Sequence, residues 1–121
     1  MAIEYKNSVK AVTSTGSDQT VYTCPTSTNL INYMAIVKTF LVYNTTGGAG
    51  TLDAKIVDTS AGVAAVTFKH FTASDYTTLK AMNVTADGPL ILESGDILKI
   101  DTSVQPANVD ISVMEISDDL R

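Results

Sequence analysis

The most apolar segment of the chain covers residues 34–44, and its apolar side chains occupy both phases of a strand alternation. One phase carries Ile36, Phe40 and Val42, and the other carries Ala35, Val37, Leu41 and Tyr43. The many β-branched and aromatic residues, and the glycine-rich stop at residues 45–50, predict a strand rather than a helix. A strand that is apolar on both faces is typical of a position covered on both sides, so we place it in the middle of the domain.

Shorter segments before the central strand also alternate. Residues 5–13 and 19–24 are predicted as strands, and Pro25 ends the second because proline cannot donate a hydrogen bond to a sheet ladder. Three apolar residues just before the central strand are predicted to form a loop that plugs one end of the core: Leu30, Ile31 and Tyr33.

The cleanest alternation follows the glycine-rich segment, at residues 51–58. Its inward positions are predicted to be Leu52, Ala54 and Ile56. The connection from the central strand has the length of a long hairpin loop, so these two strands are predicted to pair. Residues 63–71 are predicted to form the next strand.

Residues 72–82 are ambiguous between a strand and a helical turn. Ser74 or Asp75 could cap one turn of helix, whereas the β-rich surroundings favour a loop followed by a short strand. We predict the loop and short strand.

The last third of the chain contains a tight reversal at residues 93–96, where Gly95 is expected to adopt a positive φ. The flanking segments, residues 90–92 and 97–101, are predicted to pair as a hairpin. Residues 109–117 predict the final strand, with Val109, Ile111 and Val113 inward and Asp110, Ser112 and Met114 outward.

These segments amount to about eight or nine short strands, separated by turns at intervals near the 8–12 residues typical of sandwiches and barrels. No segment shows a sustained helical period. The sequence therefore predicts an all-β protein with one domain over residues 1–121, an antiparallel β-sandwich of jelly-roll-like or immunoglobulin-like topology. Periodicity does not separate these two topologies.

Charge narrows the expected partners. The formal net charge is -5, and an acidic surface is unsuited to nucleic acid phosphates or to an anionic membrane, so we expect neither partner. Cys24 is the single cysteine, which excludes an intramolecular disulfide. Residues 1–8 lack the apolar core of a signal peptide, so we expect a protein made in a cytoplasm, either free or assembled into a particle there.

The chain contains few candidates for chemistry. His70 is the single histidine, and a catalytic set would have to combine it with Cys24 and either Asp58 or Asp75. No nucleophile motif surrounds these residues, so His70 is interpreted as a packed or edge residue and Cys24 as a small apolar filler at a strand end. We predict no catalytic, cofactor-binding or metal-binding residue, and no enzymatic activity.

Glu115 is a charged residue on the inward phase of the last strand. Either the strand leaves the core at this point, or Glu115 pairs with a cation such as Lys38 or Lys99. The first interpretation is favoured because strands often become polar at their ends.

Four segments resemble small all-β virion structural proteins of tailed bacteriophages, of the capsid decoration (cement) or tail- and fibre-associated type. They are VYTCP at residues 21–25, IVKTFLVYNTT at residues 36–46, LILESGDIL at residues 90–98 and VMEIS at residues 113–117. Their order and spacing cover most of the chain, and Cys24 stands where such chains usually carry valine.

The resemblance implies a non-enzymatic structural protein of a bacteriophage virion that is assembled in the host cytoplasm. The first expectation is a capsid decoration or cement protein bound to the major capsid protein or to other virion proteins. The alternative is a tail, neck or fibre component with a receptor-binding or adaptor role, acting through loop tips at residues 47–50 or 72–76. Related decoration proteins occur as monomers and as trimers, so the resemblance leaves homo-oligomerisation open.

Overall fold

A computed structural model of the protein describes residues 1–12, 17–45, 48–59, 61–104 and 107–120. Within these ranges the secondary structure is entirely β, and no helix is present that could cross a membrane. The strands are β1 (Ala2–Val12), β2 (Gln19–Thr23), β3 (Ile31–Asn44), β4 (Leu52–Asp58), β5 (Val63–Phe71), β6 (Ala81–Asn83), β7 (Leu90–Glu93), β8 (Ile97–Thr102) and β9 (Ala107–Asp119). The first strand begins three residues earlier than predicted, at Ala2, and the last residue of the predicted strand, Thr13, lies outside the described residues.

The strands form two antiparallel sheets that pack as a sandwich. Sheet A has the order β1-β9-β3, with β6 and β7 both pairing on the far side of β3, and sheet B has the order β2-β8-β4-β5. The pairs are nested along the chain, because β1 pairs with β9, β2 with β8, β3 with β6 and β7, and β4 with β5. This is the arrangement of a jelly roll, in which one long hairpin is rolled over a core. In an immunoglobulin fold the first two strands share a sheet, so the jelly-roll alternative is the correct one.

Two predicted hairpins are wrong. The structure places β3 in sheet A and β4 in sheet B, and it likewise separates β7 from β8. The reversal at residues 93–96 is a corner between sheets: the buried Asp96 carboxylate accepts hydrogen bonds from the backbone N–H groups of Glu93 (2.9 Å) and Thr59 (3.2 Å). Gly95 has a φ of 79° as expected, but the local turn chemistry does not reveal which sheet the next strand joins.

The apolar residues of β3 occupy both strand phases for a different reason from the predicted one. Its register against β9 shifts between Val37 and Thr39, so Lys38 forms a β-bulge that reverses the facing of the side chains. Four apolar residues drawn from both phases are therefore buried in the same core: Ala35, Val37, Phe40 and Val42. The expected coverage of both faces of β3 is wrong, because its outer face is open to solvent; β3 does lie in the interior of sheet A, between β9 and the pair β6 and β7.

The core lies between the inner faces of the two sheets. Leu52, Ala54 and Ile56 of β4 face or pack against it, as do Val109, Ile111 and Val113 of β9, which confirms the predicted facing of both strands.

Residues 72–82 form a loop followed by β6, also as predicted. Tyr76 of this loop is fully buried and closes one end of the core. The expected plug is wrong, because Ile31 and Tyr33 belong to β3 and Leu30 is exposed.

We expect Asp96→Ala to lower the free energy of unfolding by about 2–3 kcal/mol, because it leaves two backbone N–H groups at the corner without their acceptor. Equilibrium urea unfolding measures this loss. Asp96→Asn retains one acceptor oxygen and is expected to lose less. Asp87→Ala is the matched control: its carboxylate is 88% exposed and makes one surface ion pair with Lys69, so the loss is expected to stay below about 1 kcal/mol. Equal losses for Asp96→Ala and Asp87→Ala would contradict the role of Asp96.

Candidate functional site

The outer face of sheet A carries a contiguous set of apolar side chains, here called the outer apolar patch. It consists of Ile3, Tyr5, Met34, Ile36, Ile91, Met114 and Ile116. Strand register aligns them in rows: Tyr5 lies opposite Met114, Met114 opposite Ile36, and Ile36 opposite Ile91. A second row joins Ile3, Ile116 and Met34 in the same way. The patch thus crosses four neighbouring strands.

The side chains at the two ends of these rows are the most exposed. Ile3 is 47% exposed, Tyr5 74% and Ile91 65%, whereas the four residues of β3 and β9 between them are half-buried. The solvent face of an antiparallel sheet is usually polar. A contiguous apolar patch on such a face is typical of an interaction site.

The outer face of sheet B has the opposite character. Lys55 lies 2.8 Å from Asp18 and 4.0 Å from Asp101, and the Nδ1 atom of His70 contacts the carboxylate of Asp53. The hydrogen bond that Lys55 donates to Asp18, together with the negative charges of the surrounding carboxylates, raises the pKa of Lys55. Sheet B thus pairs charges across neighbouring strands and exposes apolar residues such as Val66 and Phe68 on its edge strand β5, whereas the apolar residues of sheet A form one contiguous patch across four strands.

Two surface hollows border the outer apolar patch. One of about 300 Å³ is lined by Met1, Asn32, Tyr33, Met34, Ile116 and Asp118. The other, of about 280 Å³, is lined by Tyr5, Lys6, Asn7, Lys38, Ser112 and Val113. The first hollow lies between β3 and β9 beside Met1, and the second lies along β1, so the patch has concave relief at two of its borders.

A polar cluster around the buried Glu115 joins the edge strands of the two sheets. Glu115 of β9 lies 2.8 Å from the Nζ atom of Lys6 in β1 and accepts a hydrogen bond from the hydroxyl of Tyr22 in β2. The hydrogen bond and the charge of Glu115 raise the pKa of Lys6. Burial, followed by the hydrogen bond to Glu115, raises the pKa of Tyr22. A second link is formed by Lys10, whose Nζ donates to the carbonyl of Thr20 at 2.7 Å.

The favoured interpretation of Glu115 is therefore wrong. The strand does not leave the core there, since β9 continues to Asp119 and Glu115 is buried. Its cation is Lys6 rather than Lys38 or Lys99. In the sequence, Lys6 has the same strand phase as Val12, which is buried, and this phase indicates that Lys6 faces the sandwich. Nothing in the neighbouring residues connects Lys6 with Glu115.

The residues considered for catalysis are not brought together. Cys24 directly follows β2 and His70 lies in β5, which are opposite edge strands of sheet B, about 14 Å apart across three strand spacings. The expectation of an edge position for His70 is confirmed, as is the filler role of Cys24, which is fully buried. Burial raises the pKa of Cys24 to about 11. In the part of the chain that the structure describes, no group of three or more His, Cys, Asp or Glu side chains could hold a metal ion.

The two predicted loop tips lie at the same end of the sandwich. Gly47 is outside the described residues, but the Gly48 carbonyl accepts a hydrogen bond from the Asn44 side-chain amide at 3.0 Å. The Gly50 N–H donates to the Tyr76 carbonyl at 3.1 Å, which ties this loop to residues 72–76.

Comparison with known proteins gives a likeness of fold. No protein-family model matches the chain, and no curated protein matches it. One similar solved structure comes from the disulfide-linked pili of Bacillus endospore appendages, with a TM-score of 0.49, 13% identity, 98% of this chain covered and 89% of that chain. Another is the T13 viral particle of infectious bursal disease virus, with a TM-score of 0.51, 12% identity and 97% of this chain covered. The chain spans 31% of the length of that viral protein chain.

We expect the polar cluster to act as a unit. Glu115→Ala should lower the free energy of unfolding by about 2–3 kcal/mol, because it removes the acceptor of Tyr22 and the nearer counter-charge of Lys6, which keeps the Glu4 carboxylate at 3.9 Å. Tyr22→Phe should cost about 1 kcal/mol. The double variant should lose clearly less than the sum, since each substitution removes the same hydrogen bond. Urea unfolding of the four proteins measures the coupling, and strictly additive losses would show that the groups act independently.

Stability should fall at alkaline pH through Cys24. The pKa of its thiol is raised from 9.0 to about 11 in the fold, so the unfolded chain releases the proton first as the pH rises. The stability contributed by the protonated thiol is fully present below pH 9 and is lost as the pH rises through 11, with an expected loss of about 2–3 kcal/mol. Urea unfolding across this range should show a flatter pH dependence for Cys24→Ala than for the wild type. Parallel pH profiles would contradict the raised pKa.

Proposed function

We propose that this chain is a non-enzymatic structural protein of a virion, and specifically a capsid decoration or cement protein that binds the major capsid protein of a tailed bacteriophage. The observation that carries the proposal is the contrast between the two sheet faces. Sheet B carries paired charges on its outer face, with single exposed apolar residues such as Val66 and Phe68 on β5, whereas sheet A presents the contiguous outer apolar patch.

The position of the patch suits attachment to a protein shell. A partner that covers it removes Ile3, Tyr5 and Ile91 from water, and burial of each such side chain favours binding. The chain's N-terminal amine lies 3.8 Å from the Asp118 carboxylate, so both ends of the described chain lie beside the patch and can add contacts to neighbouring subunits. Binding of this kind stabilises the assembled shell by mass action.

Two further observations support a virion role. The jelly-roll fold is shared with part of a protein chain from the infectious bursal disease virus particle. The four segments that resemble virion proteins of tailed phages lie on β2, β3, the β7–β8 corner and β9, which together supply strands to both sheets.

A tail, neck or fibre component is the second candidate. It is favoured by the hydrogen bond that joins the loop at residues 48–50 to the loop at residues 72–76, because two adjacent loop tips at one end of a sandwich can form a single contact surface for a receptor or adaptor. In this role the loop end, rather than the outer apolar patch, would contact the partner.

Purified particles should contain the chain at a copy number comparable with that of the capsid subunits, as measured by quantitative mass spectrometry. Ile91→Glu, which places a charge in the patch, should lower its occupancy on particles by about tenfold or more. Val66→Glu is the matched control, since Val66 is 51% exposed on β5 of sheet B, and its occupancy should stay unchanged. A copy number far below that of the capsid subunits would favour the tail, neck or fibre role, and absence from particles would overturn both.

A further inference from the structure

The free edge of sheet A is unusually long. β1 comprises 11 residues and pairs along its whole length with β9, and within the described residues its other side has no strand neighbour. The side chains of residues 2–11 are exposed on both faces, except that Ser8 is half-buried. Sheet B therefore stops short of β1, and the backbone edge is open to approach by another strand.

The charges on this strand do not block such an approach. Inward-pointing lysines commonly protect a sheet edge from pairing. Here Lys6 is held by Glu115, and Lys10 is held by the carbonyl of Thr20. Both cations point toward their own sandwich and leave the edge itself available.

We propose that β1 pairs with β1 of a second copy of this chain, antiparallel about a two-fold axis at Asn7. This register overlaps all 11 residues of the strand. On the outer face it sets Tyr5 against the partner's Val9 and Ile3 against the partner's Ala11. On the inner face it sets Glu4 against the partner's Lys10 and Lys6 against the partner's Ser8. The symmetry makes every one of these pairs occur twice.

The sequence of β1 selects this register over its neighbours. Moving the axis to Lys6 places the two Lys6 side chains directly opposite each other, and moving it to Ser8 places Lys6 opposite the partner's Lys10. Like charges in directly opposed positions disfavour pairing. An axis between two residues is incompatible with the pleat, because it would oppose inward-facing with outward-facing residues, whereas directly opposed residues of an antiparallel pair point to the same face. The register centred on Asn7 gives complementary charges with the longest overlap.

The paired edges would supply about ten backbone hydrogen bonds between the copies. They would also join the two outer apolar patches into one surface, because Ile3 and Tyr5 lie in the rows of the patch that end at β1. This inference concerns the isolated chain and does not rest on its place in a virion, so either proposal can fail without the other.

A cysteine at the axis tests the register directly. In Asn7→Cys the two thiols lie on directly opposed residues, whose Cα atoms in an antiparallel pair are about 4.5–5.5 Å apart, within disulfide range. Oxidised glutathione should convert this variant to a covalent dimer on non-reducing gels. Val9→Cys is the matched control, because the two cysteines would be offset by about 14 Å along the strands and should not cross-link. Cys24 is buried and does not compete.

Charge exchange tests the energetics by sedimentation equilibrium. The wild type should dimerise, and Glu4→Lys and Lys10→Glu should each raise the dimer Kd by about tenfold or more, since each puts like charges opposite at two positions. The double variant restores opposite charges and should return to within about threefold of the wild-type Kd. Lys80→Glu, which lies just before β6 at the far edge of sheet A, should leave the Kd unchanged.

The proposed dimer forms through 11 residue pairs. A wild type that is still monomeric at about 100 µM would overturn the proposal, because so weak an association has no role. Equal cross-linking of Asn7→Cys and Val9→Cys would overturn the register. Failure of the double charge variant to recover, with native circular dichroism, would do the same. If a charge variant fails to fold, the cysteine pair decides the question, because its two substitutions change no charged residue.

Discussion

The pairing of β3 with β9 is the interaction on which the rest of the structure depends. These two long strands form the middle of sheet A, and they join a segment from the first half of the chain to the last strand. The bulge at Lys38 in this pair aligns Phe40 and Val42 with Ala35 and Val37, so that a strand apolar on both phases contributes to a single core. The same shift leaves Met34 and Ile36 on the outer face, where they become the centre of the outer apolar patch.

The two outer faces of the sandwich differ in the side chains that they carry. On sheet B, carboxylates and cations of neighbouring strands satisfy one another, which keeps that face solvated. On sheet A, the same positions of the pleat carry isoleucine, methionine and tyrosine. A single sheet can be polar on one side and apolar on the other at no cost to its backbone pairing, because side-chain direction alternates along every strand. This alternation allows a small protein to reserve one face for assembly.

β1 is held to the rest of the sandwich by polar contacts, while its outer backbone edge stays open to another strand. Glu115 is buried between the sheets, and the hydrogen bond and ion pair that it makes hold β1 close to β2. An isolated buried carboxylate would be costly, so the cluster has to be complete for the edge to be stable. With its lysines held inward, β1 remains an ordered strand with an open backbone edge beside the patch. Face and edge together define the side of the molecule on which partners are expected to bind.

The sequence by itself determined the elements whose signal is local. Alternation located β4, β5 and β9 and the inward residues of β4 and β9, and Gly95 marked a real reversal, because side-chain period and glycine φ are properties of a few consecutive residues. The local sequence does not distinguish a hairpin from a corner between the sheets at residues 93–96. The corner depends on Thr59, whose backbone N–H donates to the Asp96 carboxylate from another turn. The bulge at Lys38 and the Lys6 partner of Glu115 were equally hidden, since both depend on which distant strand lies alongside. Only the tertiary structure decided these, and with them the outer apolar patch, because a face shared by four strands exists only after segments remote in the chain have been set in register.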